Sequence, residues 1–138
     1  MIIEVKSAEE ILATRPVMLQ LRPHIAPDDY MPRVRRMMRD GFRLAAVIED
    51  DEVRAVAGYR FFEMLYSGKM LYLDDLVTDS EARSAGHGRE LIMWLQREAV
   101  ANGCAQLHLD SRVDRAEAHR FYFRERFAIL GFHFAKKL

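Results

Sequence analysis

The sequence predicts an α/β fold with a mixed, mostly antiparallel central sheet flanked by helices. Three observations carry that expectation. Apolar runs at residues 42–48, 53–62 and 70–77 follow one another across short turns, which makes them antiparallel neighbours. A long amphipathic segment comes next, with Leu91, Ile92, Leu95 and Ala99 recurring on one helical face. Another strand-like run, residues 106–111, follows it, and a strand reached through a helical crossover lies parallel to the one before.

Ile2–Val5 reads as a short strand. Ser7 can cap a helix, with Glu10 three residues on completing a capping box. Ile11, Leu12, Val17 and Leu19 supply that helix with an apolar set, while Pro16 disturbs its middle or ends its first segment. Between residues 24 and 32, Pro27, Asp28-Asp29 and Pro32 are loop or helix-start signals. Residues 33–39 form a basic helical segment. It reads either as a solvated helix with Val34, Met37 and Met38 inward, or as a nucleic-acid patch. The acidic run 49–52 is a hairpin turn without glycine, and residues 66–69 make a second turn into the 70–77 strand. Thr78, Asp79 and Ser80 punctuate that strand, and Asn102-Gly103 ends the long helix. A loop at 112–115, a helix at 116–126 and a final strand at 127–135 complete the expected order.

At 138 residues, half of them apolar, the chain is expected to be a single domain, 1–138, able to bury a core without staples. Its 21 basic and 21 acidic residues cancel, which argues against a general electrostatic hold on nucleic acid or membrane. Cys104 is the lone cysteine, so no disulfide forms within the chain, and its place after Gly103 suggests a buried turn thiol. No leader-like opening and no apolar run near ~18 residues is present, so the expected location is cytoplasmic. The five histidines show no ligand spacing with Cys104, and no metal is expected.

The chemistry-bearing stretch is Arg83-Ser84-Ala85-Gly86-His87-Gly88-Arg89, between the 70–77 strand and the long helix. A helix start leaves its first N–H groups unpaired and carries partial positive charge. Gly86 and Gly88 remove Cβ atoms that would keep a bulky anion from those groups, and Arg83 and Arg89 can add charge-assisted hydrogen bonds. A phosphate or pyrophosphate fits such a cradle; the plainer alternative is two glycines that allow a tight turn. The third glycine of a dinucleotide-binding fingerprint is missing, and the antiparallel strands that come first also disfavour that fold.

Arg83-x-x-Gly86-x-Gly88, after a strand and before a helix, resembles the acetyl-CoA-binding motif of the GCN5-related N-acetyltransferases (GNAT family). Ala118-His119-Arg120-Phe121-Tyr122 resembles the helix that carries that family's tyrosine. The resemblance covers residues 42–134 well and the first 40 by length and pattern. It implies a parallel strand pair that splays apart at the cofactor, and acetyl-CoA as the donor. It also implies an acceptor that is a small-molecule or peptide amine. Main-chain groups of Leu76, Val77 and Thr78 would then contact the pantetheine arm, and residues Arg83 to Arg89 the pyrophosphate. Where the family often has an asparagine seven residues before the tyrosine, this chain has Arg115, which can reach a phosphate instead.

Acyl transfer to an amine requires a proton acceptor for the amine and a proton for the departing thiolate. Tyr122 is the candidate acid, since thiol and phenol reference pKa values lie near ~8.5 and ~10; the alternative is a core aromatic run of Phe121, Tyr122 and Phe123. Asp74 and Asp75 are candidate bases, on opposite faces if the strand is regular, with Glu63 on the neighbouring strand as another. A partner role for a core arginine is equally open to the aspartates. His108 and His119 are more ordinary as structural residues. The expected function is therefore acetyl transfer from acetyl-CoA to a primary amine by direct attack in a ternary complex. The alternative is an acyl-CoA-binding sensor without turnover. Little room remains after the 127–135 strand for a second C-terminal strand, which suggests a homodimer covering that edge.

Overall fold

The computed structural model describes all residues, 1–138. Nine elements follow in order: β1 Ile2–Val5, α1 Ala8–Leu21, α2 Pro27–Arg39, β2 Arg43–Glu49, β3 Glu52–Met64, β4 Gly68–Thr78, α3 His87–Ala101, β5 Gln106–Leu109 and α4 Ala116–Arg124. The strands form one sheet in the order β1-β2-β3-β4-β5, antiparallel from β1 to β4 and parallel between β4 and β5.

Two compact units divide the chain, Met1–His108 and Leu109–Leu138. In the first, buried residues on β2 alternate between two cores, as strand geometry requires. Leu44 and Ala46 join Ile11, Val17, Met18, Tyr30 and Val34 of α1 and α2. Ala45 and Val47, equally buried, face the other way, on the side covered by Leu91, Ile92 and Leu95 of α3. No helix is long and apolar enough to cross a membrane.

Local chemistry explains the boundaries. The Ser7–Glu10 capping box is present: Glu10 N–H donates to Ser7 Oγ at 3.1 Å and Ser7 N–H to Glu10 Oε2 at 2.9 Å. Pro16, expected to disturb α1, lies inside a continuous helix. The carbonyl it leaves unpaired four residues earlier belongs to Leu12, which is exposed to water. Pro27 begins α2 at a position where its missing N–H costs nothing, so the helix starts six residues before the basic run. The β2–β3 hairpin turns on Asp50 and Asp51 at φ 53° and 59°, the left-handed pair that a two-residue turn needs and that aspartate tolerates.

The second unit holds α4 and the C-terminal segment. The strand expected at 127–135 does not form; residues 127–138 adopt no regular structure. Ile129, Leu130, Phe132 and Phe134 are exposed there. Their apolar pattern suits a strand, but a strand also needs a ladder of backbone partners. A hydrogen bond from Phe127 N–H to Tyr122 O at 3.0 Å ties the segment's start to α4, and His133 Nδ1 lies 3.3 Å from Asp110 Oδ2.

Candidate active site

A cavity of about 400 Å3 opens in the first unit, walled by α1, α2 and the middle of the sheet. Both Asp74 and Asp75 line it. The expectation that consecutive residues face opposite ways fails, because β4 is not regular here. Gly58 of β3 pairs with Asp75 and Tyr59 with Leu73, so Asp74 is an extra residue with no partner of its own. A bulge of this kind bends the strand and re-aims side chains, and it turns both carboxylates to one cavity. Gly58 makes room for it: a Cβ there would stand 2.5 Å from Asp75 Oδ2 and 2.6 Å from Phe42 Cζ.

Each carboxylate is held by an arginine from another element. Arg60 of β3 binds Asp74 with two nitrogens, Nε–Oδ1 at 3.0 Å and Nη2–Oδ2 at 2.6 Å, and stacks over the Phe42 ring at 5.5 Å. Arg22, at the end of α1, donates from Nε to Asp75 Oδ1 at 2.8 Å and from Nη2 to the Asp74 carbonyl at 3.1 Å. Burial raises the Asp75 pKa above its ordinary value, against the downward pull of Arg22. Asp75 is thus more basic than an ordinary aspartate while remaining paired. Tyr30 completes this end, its hydroxyl 2.7 Å from Thr14 Oγ1, and burial raises its pKa as well.

The predicted cradle lies beyond β4. Gly86 caps α3 at φ 85°, a left-handed conformation that glycine adopts freely, and no side chain caps the helix start. Glu90 N–H donates to Gly86 O at 3.0 Å, so the N–H groups of His87, Gly88 and Arg89 precede the first helical bond. Arg83, Ser84, Ala85 and Arg89 are exposed around this turn, with Ser84 also left-handed at φ 69°. An uncapped helix start, an absent Cβ with nothing within 4 Å of its place, and two flanking guanidiniums fit a diphosphate. The His87 side chain points the other way. It is buried, 3.3 Å from Glu49 Oε2 and 3.8 Å from Glu90 Oε2, so only its main chain faces the cradle.

Strand β5 has four residues where β4 has eleven, and Ala105 N–H meets Lys69 O near the beginning of β4. The bulge and Leu76, Val77 and Thr78 lie past that paired portion. Glu63 does not join the carboxylates at the cavity. It is exposed toward the far end of β3, opposite Lys69. His108 hydrogen-bonds to Gln106 and His119 to the Arg112 carbonyl, both locally. Cys104 is buried and free, and burial raises its thiol pKa, which suits packing rather than nucleophilic attack.

Within the second unit, Tyr122 lies on α4 in edge-on contact with Phe121 and Phe127, ring centroids 5.5 and 5.7 Å away. Burial raises its phenol pKa, so the group keeps its proton at neutral pH. Arg115 is the exposed N-cap residue of the same helix.

Sequence reasoning missed Arg22, Arg60, Gly58 and Gln20. Gln20 Nε2 donates to Asp79 Oδ1 at 3.0 Å and its Oε1 accepts from Ser80 N–H at 2.9 Å, fixing the loop that leads into the cradle. No local pattern marks these residues, since each acts on a partner in another element, from 14 positions away for Arg60 to 60 for Gln20.

A bulged strand facing a cavity is thus followed on the same chain by a helix start open to an anion. The sequence model of the acetyltransferase (GNAT) family matches residues 10–127, and the chain belongs to that family, whose acetyl donor is acetyl-CoA. It is 30% identical over 120 residues to the uncharacterized N-acetyltransferase YhdJ of Bacillus subtilis, covering 86% of this chain and 84% of that one. A second relative is the aminoalkylphosphonate N-acetyltransferase of Salmonella typhimurium, 33% identical over 66 residues, 48% of this chain and 43% of that one. Among solved structures, the aminoglycoside N-acetyltransferase AAC(6')-Iy in complex with CoA superposes with a TM-score of 0.87 at 15% identity, covering 99% of this chain and 93% of that one. The ribosomal-protein-alanine N-acetyltransferase of Brucella melitensis gives 0.85 at 12% identity, over 100% and 99%.

Proposed function

We propose that the chain moves the acetyl group of acetyl-CoA to a primary amine seated in the cavity beside Asp74 and Asp75, by direct attack with both substrates bound. The observation that carries this reading is the β4 bulge, which turns two consecutive carboxylates into one cavity. The family match across residues 10–127 spans both compact units and supports their acting as one acetyltransferase domain.

Bound acetyl-CoA supplies an activated thioester carbonyl. The chain's own residues do the rest. The N–H groups at the start of α3, with Arg83 and Arg89, hold the diphosphate, and Arg115 is available to a further phosphate. The backbone of Leu76, Val77 and Thr78, past the portion of β4 paired with β5, hydrogen-bonds to the pantetheine arm. Asp75, made more basic by burial, takes a proton from the acceptor's ammonium, directly or through water, while Arg22 fixes its orientation. Asp74, clamped by Arg60, sets the charge of the same wall. As the nitrogen–carbon bond forms and the carbon–sulfur bond breaks, the Tyr122 hydroxyl gives its proton to the departing sulfur, and the proton the new amide nitrogen sheds returns to the phenolate through water. Holding both reactants in register is worth up to about 7–11 kcal/mol in favourable cases, so no covalent step on the protein is needed. Glu63 takes no part. The exposed Ile129, Leu130, Phe132 and Phe134 favour a homodimer that covers them.

The test is thiol release from acetyl-CoA by the full chain across a panel of primary amines. Turnover that falls in Asp75→Asn and Tyr122→Phe, with CoA affinity retained, supports the reading. CoA binding with no turnover for any amine would leave a sensor module instead.

A further inference from the structure

Resting on the acceptor-pocket reading of the cavity, we infer that the acceptor amine also bears an anionic group, a carboxylate or phosphonate, which Arg33 receives. Arg33 stands on α2 and lines the cavity. Its Nη2 is tied to Asp29 Oδ2 one turn earlier at 2.7 Å, which steadies the guanidinium. Its Nε is shielded from solvent and has no acceptor in the protein. A guanidinium presents five donors in a planar fork suited to two oxygens of one anion, and Asp29 engages only one nitrogen of a side chain that is partly open to the cavity.

Both carboxylates that line the cavity are engaged by other arginines. Asp74 is taken by Arg60 and Asp75 by Arg22. The three guanidiniums in and around the cavity, Arg22, Arg60 and Arg33, are thus each paired with one carboxylate, Asp75, Asp74 and Asp29, and the charges balance. A polycationic acceptor would meet a wall with no negative charge to spare. An amine that brings its own anion adds no net charge and keeps that balance: its nitrogen goes to the bulge and its anion to Arg33. The space between is apolar, walled by Met18, Ile25, Val34 and Met37. The Arg33 side chain is 41% exposed, which places the anion toward the opening and the amine toward the more enclosed carboxylates.

The experiment compares kcat/KM for pairs that differ only in the anion: leucine against isopentylamine, and an aminoalkylphosphonate against the alkylamine of equal length, with spermidine as the polycation. A charge-assisted hydrogen bond predicts at least about a tenfold preference for the anion-bearing member, expressed mainly in KM. That ratio should collapse toward one in Arg33→Gln and recover partly in Arg33→Lys. The leucine and phosphonate arms identify which anion fits. A wild type that prefers the plain amine or spermidine, or an Arg33→Gln protein that keeps the ratio, overturns the inference. If no amine is acetylated, calorimetry of the same pairs on the CoA-loaded protein decides it independently of turnover. Selective binding of the anion-bearing member that is lost in Arg33→Gln upholds the assignment, and equal or absent binding of the pair removes it.

Discussion

Gly58 and Asp75 sit opposite each other at the β4 bulge, so close that a single added methyl would stand 2.5 Å from the carboxylate oxygen. The Phe42 ring closes the same space from the other side, and Arg60 lies over that ring while holding Asp74. One missing side chain thus sets the position of both acids.

Gly58→Ala should displace the Asp75 carboxyl and the Phe42 ring together. Overpacking of this kind costs about 1–3 kcal/mol, read as a lower urea midpoint with an unchanged slope. Amine turnover should fall more than CoA affinity, because the cradle is untouched. A variant with wild-type turnover and stability would mean that the contact relaxes freely.

Asp75 should leave a signature in pH. Its folded pKa lies above the ordinary 3.8, because burial outweighs Arg22. Below pH 3.8 the group is protonated whether the chain is folded or not. As pH rises through the interval up to its raised value, the unfolded chain ionises first, and the stability contributed by the protonated form is lost. Glu10, Asp79 and Asp114, whose carboxyls hydrogen bonds hold low, slope the opposite way. Asp75→Asn should therefore gain stability relative to wild type as pH climbs from 4 toward 7, measured by urea unfolding at each pH. Its kcat/KM should also lose the acid limb, which in wild type lies above 3.8.

Gly86→Ala tests the cradle by backbone conformation alone. Nothing lies within 4 Å of the added methyl, so the cost is that of a left-handed non-glycine residue, about 1–2 kcal/mol. Calorimetry should show weaker CoA binding, and Gly86→Glu a larger loss from added negative charge. Unchanged affinity in both would remove the cradle from the site.

For Tyr122→Phe the expected loss is about 100-fold or more in kcat, the usual scale for a general acid, with melting temperature nearly unchanged. Because the phenol pKa is raised above 10, wild-type activity should hold well into alkaline pH. A Phe variant with full activity would leave Tyr122 a packing residue beside Phe121 and Phe127.

What was legible in the sequence is what local chemistry decides. The Ser7–Glu10 box, the strand-then-glycine-then-helix order around Gly86, and the parallel return through α3 all follow from neighbours a few residues apart. The bulge was not legible, because it exists only in the register between β3 and β4, where Gly58 of one strand leaves room on the other. The Arg22–Asp75 ion pair spans 53 positions, and no pattern within either segment names its partner. The tail failed for the converse reason: residues 127–135 have an apolar pattern suited to a strand, but pattern cannot supply the second backbone that a ladder requires.

Helix α1 reaches two places from its last turn and cap. Gln20 holds Asp79 and Ser80 on the way to the start of α3, and Arg22 holds the bulge at the cavity. Two residues apart, one in the last turn of α1 and one at its C-cap, they tie the loop before α3 to the bulge of β4. Inserting a single residue between them would carry one contact away from the other by a helical step of about 100°, so the spacing of loop and bulge is stored where one helix ends.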